Sequence, residues 1–265
     1  MQSNDDVLRS LPTDHRLAGR TALVTGATSG IGEAVARVLA ASGAEVLVTG
    51  RDAARAARVV DAIAAHGGRA HALTVDLAGP ADGVRAFAAE ATSLLGGRVD
   101  VLVNNAGVYP VGPTDALGDT DLDAVLATNV RAPHLLVAAI APSMAARGEG
   151  AIVNIGSWMS RVGIPMGAAY TASKAAVEQM TRTWSAEYGP RGVRVNTVAP
   201  GATATPGNAD SADVLEAMTK ATVAGRPVRP VDVAYAVRFA VTDEGAFLHG
   251  GSIDVDGGIT YTRVA

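Results

Sequence analysis

From about residue 20 onward, short runs of aliphatic and β-branched residues alternate with longer, alanine-rich stretches, and this alternation constrains the fold more than any other property of the chain. The apolar runs are TALVTG (21–26), EVLVTG (45–50), AHALTVD (70–76), VDVLVNNAG (99–107), AIVNIGS (151–157), VRVNTVAPG (193–201) and GSIDVDGG (251–258). Most are continuously apolar, the pattern of strands covered on both faces. Between them lie stretches of helical period, about 30–42, 53–65, 81–95, 120–146, 168–188 and 231–242. In the first of these, Ile31, Val35, Val38 and Leu39 recur at helical spacing and Ser42-Gly43 closes the run. Such alternation predicts a doubly wound α/β fold, about seven parallel strands with helices on both faces, binding ligands beyond the carboxyl ends of its strands.

No linker, internal repeat or low-complexity tract divides the chain, so residues 18–265 read as one domain behind a flexible N-terminal extension, 1–17. That extension is polar and lacks the apolar core of a secretory signal, which makes cytoplasmic the simplest localisation. No apolar run approaches the ~18 residues a membrane span needs, so no membrane association is expected. The net charge of −4 and the absence of a basic run argue against nucleic acid as a partner. There are no cysteines, which excludes disulfides, zinc–thiolate sites and thiol nucleophiles. DTDLD (119–123) starts like a calcium loop, but Ala124 and Val130 stand where glycine and glutamate belong, so it reads as acid at a helix start. His66 and His71 have no third ligand in sight, and no metal is expected. The segment 201–225 is the loosest part of the pattern and sits where a mobile substrate lid would.

Two stretches carry chemistry. TGATSGIG (25–32) follows the first strand and opens the first helix, with Gly26, Gly30 and Gly32 spaced G-x-x-x-G-x-G. Glycines there let a diphosphate approach the backbone at a helix N-terminus, the alternative being a turn that merely needs glycine. In GAAYTASKAAVEQM (167–180), Tyr170, Lys174, Val177, Thr181, Trp184 and Tyr188 fall on one helical stripe, with Glu178, Gln179, Arg182 and Thr183 elsewhere. A lysine on the hidden side either snorkels at its edge or has a task.

Further motifs follow in order: NNAG (104–107), TNV (128–130), NIGS, then Ser157, Tyr170 and Lys174 as S-x12-Y-x3-K, and finally VRVNTVAPG and VDGG. Together these resemble the short-chain dehydrogenase/reductase family over about residues 18–260, with a look closest to its 3-oxoacyl-[acyl-carrier-protein] reductase-like members. The resemblance implies a Rossmann-type fold and an NAD(P)-dependent oxidoreductase that moves hydride between a nicotinamide and a carbonyl or secondary alcohol. NADPH-dependent reduction of a ketone or 3-oxoacyl thioester is the favoured form. The alternatives are an NAD-dependent sugar, steroid or secondary-alcohol dehydrogenase and a non-catalytic dinucleotide-binding sensor.

The resemblance assigns catalysis to Asn129, Ser157, Tyr170 and Lys174. Tyr170 exchanges a proton with the substrate oxygen, Ser157 holds that oxygen, Lys174 bonds the nicotinamide ribose and Asn129 anchors a relaying water. An ammonium about 5 Å from the phenol, at an effective dielectric of ~20, should favour the phenolate by ~3 kcal/mol, or ~2 pKa units. Cofactor contacts fall to Gly26, Thr28, Ser29, Gly30, Ile31, Gly32, Arg51, Asp76, Leu77, Asn105, Ala106, Gly107, Tyr170, Lys174, Pro200, Gly201, Thr203 and Thr205. Gly50 and Arg51 end the second strand where NAD-preferring members carry an acid, so NADP is expected, with NAD the alternative. Ser157, Trp158, Tyr170 and Tyr109 are the expected substrate contacts. The alanine-rich surface of the helices at 120–146 and 168–188 suggests a homotetramer or homodimer.

Overall fold

The computed structural model describes residues 3–110 and 112–262. Seven strands form one sheet: β1 (Thr21–Val24), β2 (Glu45–Gly50), β3 (Arg69–Thr74), β4 (Val101–Asn104), β5 (Gly150–Ile155), β6 (Val193–Pro200) and β7 (Ser252–Val255). All pairs are parallel, in the order β3-β2-β1-β4-β5-β6-β7. Chain direction across the sheet reverses between β1 and β4, which opens a crevice beyond their carboxyl ends. The glycine-rich loop leaves β1 and NNAG leaves β4, so both lie at that crevice.

Alternate side chains of each central strand serve two separate cores. Ala22, Val24, Val153 and Ile155 face α2 (Gly30–Ala41), α3 (Ala53–Ala64) and α9 (Pro230–Val241). Leu23, Leu102 and Ile152 face α4 (Ala81–Leu94), α6 (Ala132–Arg147) and α7 (Ala168–Tyr188). β2 and α7 have the bounds expected from sequence, and the other strands and the helices α2, α3, α4 and α9 lie close to theirs. Covering of both faces fails at the margins: β3 and β7 are edge strands with exposed positions.

Three further expectations change. The leading segment is not loose: α1 (Asn4–Arg9) is capped reciprocally by Ser3 and Asp6, buries Leu8, and is tied to α9 by the Val231 amide donating to Asn4 Oδ1 at 3.0 Å. The long helix expected over 120–146 is α5 (Asp119–Val125) and α6 joined through a π-helical turn, Leu126–Arg131. The continuous run 119–147 is long and apolar enough to cross a membrane by length and composition alone, but most of its apolar window is buried within the molecule, as in a core helix. Finally, 201–225 contains a helix of its own, α8 (Ala212–Lys220), which buries only Thr219 and leaves Val214 and Met218 exposed.

A polar ladder fixes α7 on the sheet. Asn104 Nδ2 donates to Asn154 Oδ1 (2.8 Å), Asn154 Nδ2 to Thr181 Oγ1 (2.8 Å), and Thr197 Oγ1 to Thr181 Oγ1 (2.9 Å). All four residues are buried, so a slip of the helix by one position would strand several polar atoms without partners. This register carries Tyr170 and Lys174 to the mouth of the crevice.

Candidate active site

The two loops at the crevice are laced together. Thr25 Oγ1 accepts from the amides of Asn105 (3.0 Å) and Ala106 (3.1 Å), and Asn105 Nδ2 donates to the carbonyls of Thr25 (2.8 Å) and Gly26 (3.0 Å). Gly26 and Gly30 have φ of 61° and 56°, in the left-handed region. At Gly32 a Cβ would stand 2.2 Å from the Gly26 carbonyl oxygen and 2.4 Å from Asn105 Nδ2. Ser29 precedes α2 without capping it by its side chain, so the first amides of α2, at Gly30, Ile31 and Gly32, face the crevice with no intrahelical acceptor. That is an anion site suited to a dinucleotide diphosphate. Thr205 closes its far side, its Cβ and Cγ2 each 3.3 Å from where a Cβ on Gly30 would be.

Several expected cofactor residues are committed elsewhere through their side chains. Asn105 donates to the glycine-rich loop, Thr203 Oγ1 donates to the Gly201 carbonyl (2.9 Å), and Leu77 is buried in the core. Asp76 accepts from the Ala78 amide (3.0 Å), an Asx turn, and does not cap α4, whose N-cap is Pro80. Gly201, after Pro200, passes so close to Asp256 that a Cβ would lie 2.6 Å from its Cα. The backbone atoms of these residues, Asn105 Oδ1 and the remaining carboxylate oxygen of Asp76 are left to meet a ligand. At the end of β2, Asp52 caps α3 and pairs with Arg55, which leaves Arg51 exposed and without an ion pair among the described residues.

Tyr170, Lys174, Ser157 and Asn129 converge as expected. The Ser157 hydroxyl lies beside the Tyr170 phenol and favours its ionised form. Lys174 Nζ lies 5.9 Å from the Tyr170 ring centroid and donates to the Ile155 carbonyl at 2.8 Å. Asn129 sits on the π turn. Its Oδ1 accepts from the Val108 amide (2.9 Å), and its Nδ2 donates to the Val108 carbonyl (2.9 Å) and to Ser173 Oγ (3.0 Å). A Cβ on Gly107 would fall 3.3 Å from Asn129 Oδ1 and 3.6 Å from Lys174 Nζ, so the glycine keeps open a hollow between the two. Over the phenol, Tyr109 packs edge-on at 6.4 Å and donates from Oη to the Gly207 carbonyl (2.9 Å), linking the catalytic cleft to the 201–225 segment. Trp158 follows Ser157 and is half-buried.

Electrostatics depart from the sequence expectation. Burial pushes the Tyr170 phenol up; the Ser157 hydroxyl opposes this and Tyr109 adds to it. The neighbouring ammonium therefore does not bring the phenol down. Lys174 is only 6% exposed, and burial lowers its own pKa from 10.5 to about 8. Desolvation of each charged form outweighs the attraction between them.

Sequence reasoning missed two residues beside the site. Ser173 bridges Asn129 to the Tyr170 carbonyl, donating to the latter at 2.7 Å. Glu178, placed off the buried stripe, is 7% exposed because Arg161 and Ser160 cover it. The i, i+4 spacing from Lys174 was its available signal.

The sequence profile described as short chain dehydrogenase matches residues 20–215. D-threitol dehydrogenase of Mycolicibacterium smegmatis is 36% identical over 253 residues, 95% of this chain and 96% of that protein. A solved structure described as a putative betaketoacyl-ACP reductase is 42% identical, with TM-score 0.83 over 93% of this chain and all of that one. A short chain dehydrogenase from Burkholderia cenocepacia, solved with NADP, is 39% identical, with TM-score 0.84 over 92% of this chain and 99% of that one. Coverage of nearly the whole length, the shared fold and the family profile lead to one conclusion: the chain belongs to the short chain dehydrogenase family of oxidoreductases.

Proposed function

We propose that the protein is an NADP(H)-dependent carbonyl reductase of small ketones, with Tyr170 as proton donor. The observation that carries this reading is the meeting of the Ser157 and Tyr170 hydroxyls in one cleft, backed by Lys174. A bound nicotinamide dinucleotide supplies the hydride. Its diphosphate would be held by the Gly30–Gly32 amides, and the ribose next to the nicotinamide by Lys174. Ser157 donates to the substrate carbonyl and orients it. Tyr170 Oη gives its proton to the oxygen as negative charge develops there. A phenol pushed up by burial holds its proton until the substrate oxygen takes it. Lys174 Nζ and Asn129 Oδ1 line the hollow beside Gly107, where a water can return the proton to Tyr170. Tyr109 and Trp158 wall the substrate side. The similarity to D-threitol dehydrogenase supports a second reading, oxidation of a polyol by the same residues. Assaying ketones, 3-oxoacyl thioesters and polyols with all four nicotinamide forms separates the two. No turnover of any ketone with NADPH defeats the first.

Cofactor choice has a local test. Arg51→Ala should weaken NADPH binding about 10- to 100-fold, the worth of a charge-assisted contact to phosphate, and leave NADH nearly unchanged. Gly50→Asp alone should not create NAD preference. Its Cβ would stand 2.6 Å from Thr28 Cγ2, in a buried side chain, so the carboxylate needs Thr28→Gly alongside it. Titrations of cofactor fluorescence read both outcomes, and an unchanged NADPH affinity in Arg51→Ala would remove Arg51 from the site.

We further propose a homotetramer. Leu122 and Leu126 on α5 and the π turn, with Ala138, Ala139, Pro142 and Ala146 on α6, leave a face of apolar and small residues exposed. Sedimentation at micromolar concentration should give about four times the chain mass; a monomer would overturn this.

A further inference from the structure

Catalytic Ser157 opens a short 3-10 turn, Trp158–Arg161, whose last residue is the hub of a charged cluster. Arg161 donates through Nε to Glu178 Oε2 (3.2 Å) and through Nη2 to Glu178 Oε1 (3.2 Å). On its other side Nη1 donates to both oxygens of Asp254 (2.6 and 2.8 Å) and to Tyr261 Oη (3.1 Å), and Nη2 also donates to Ser252 Oγ. Ser160 closes the cluster on the catalytic side. Its hydroxyl reaches the Ser157 carbonyl (2.6 Å) and Glu178 Oε1 (2.5 Å). Glu178 is one helical turn beyond Lys174 on α7, and Asp254 and Ser252 belong to the edge strand β7.

We infer that Arg161, Glu178 and Ser160 are positioning residues that set the Ser157 hydroxyl against Tyr170 and couple it to β7 and the C-terminal segment. The inference rests on the catalytic reading of Ser157 and Tyr170 given above. None of the three touches substrate. They act by tying the turn that carries Ser157 to α7 through Glu178, since Ser157 Oγ itself is held within its own turn by the Met159 amide, at 3.2 Å. Fixing a carbonyl-binding hydroxyl to within a fraction of an ångström requires such a supporting shell. Six donor–acceptor contacts of a single guanidinium, four of them to two carboxylates, exceed what anchoring a surface loop needs, and a lysine could not reproduce the fork.

Replacing both partners by apolar residues of similar length separates positioning from stability. Arg161→Met alone leaves the Glu178 carboxylate buried without its cation and should lower the thermal midpoint. Arg161→Met/Glu178→Met removes both charges and should bring the midpoint back toward the parent's. Its NADPH affinity should equal the parent's, while kcat/KM for a ketone falls at least tenfold with KM raised. A readout independent of any substrate is the ultraviolet difference titration of Tyr170, isolated by subtracting the Tyr170→Phe spectrum. Loosening Ser157 takes away its lowering influence on the phenol, so the Tyr170 midpoint should rise in the double variant. A folded double variant with the parent's Tyr170 titration or kcat/KM overturns the inference. Should it not fold, Arg161→Lys, which keeps a cation beside Glu178, decides by the same two measurements. Because the titration needs no turnover, a parent protein that reduces no ketone defeats the functional reading and leaves this test standing.

Discussion

Tyr170→Phe should lower kcat for ketone reduction by about 10³-fold, with NADPH affinity within twofold of the parent's. The magnitude follows from removing a positioned proton donor, which contributes typically 10²–10⁴-fold. Loss of the hydroxyl leaves Ser157 to stabilise the developing oxyanion with no proton to give. The ring is retained, so the edge-on packing against Tyr109 survives and the fold should not soften. The same variant tests the sensor alternative. A protein whose biological effect persists in Tyr170→Phe while turnover disappears is using the dinucleotide pocket and not the chemistry. Stopped-flow reduction and cofactor titration on one preparation give both numbers, and a kcat within tenfold of the parent would remove the phenol from the mechanism.

Lys174→Met should produce opposite effects on catalysis and on stability. Catalysis should fall by about 10³-fold, because the relay loses its donor and the ribose its contact. The apo protein should be at least as stable as the parent at pH 7. Lys174 is 6% exposed with a single carbonyl partner, and a drop in pKa from 10.5 to about 8 corresponds to on the order of 3 kcal/mol of cost for holding the ammonium there. The pH dependence has a definite sign. Below about pH 8 the group is charged both folded and unfolded, and the cost is present in full. Between about 8 and 10.5 the folded chain loses the proton first, so this group makes stability rise with pH. Denaturant midpoints from pH 7 to 10 should climb in the parent relative to Lys174→Met. A midpoint for Lys174→Met several degrees below the parent's at pH 7 would show that the ammonium is a net anchor instead.

The sheet and its helices were legible because the central strands are continuous apolar runs ended by glycine or a polar pair, and such runs have one good solution. The motif residues were legible for a related reason: Gly32 tolerates no side chain, and Tyr170 and Lys174 sit one turn apart on a helix whose ends are marked by Gly167 and Gly189. Other features depend on partners distant in sequence. Glu178 looks solvated on a helical wheel until Arg161, 17 residues earlier, folds over it. The exposure of β3 follows from its place at the sheet edge, which no local pattern states. The upward push on Tyr170 required knowing how completely the cleft is enclosed. The N-terminal helix is different, since Ser3-x-x-Asp6 ahead of Val7 and Leu8 is a readable capping signature that went unused.

The π turn at Leu126–Arg131 has a consequence for how this part of the chain tolerates change. A regular helix advances about 100° per residue, so its angular phase is inherited by everything downstream. One surplus residue resets that phase. It lets Asn129 point at Val108 while the following α6 keeps Leu136, Ile140 and Met144 against the sheet. Shortening 126–131 by one position would restore an unbroken helix and force a choice between those two orientations. Insertions and deletions here are therefore rotations, whereas in the loop before α5 they only alter length.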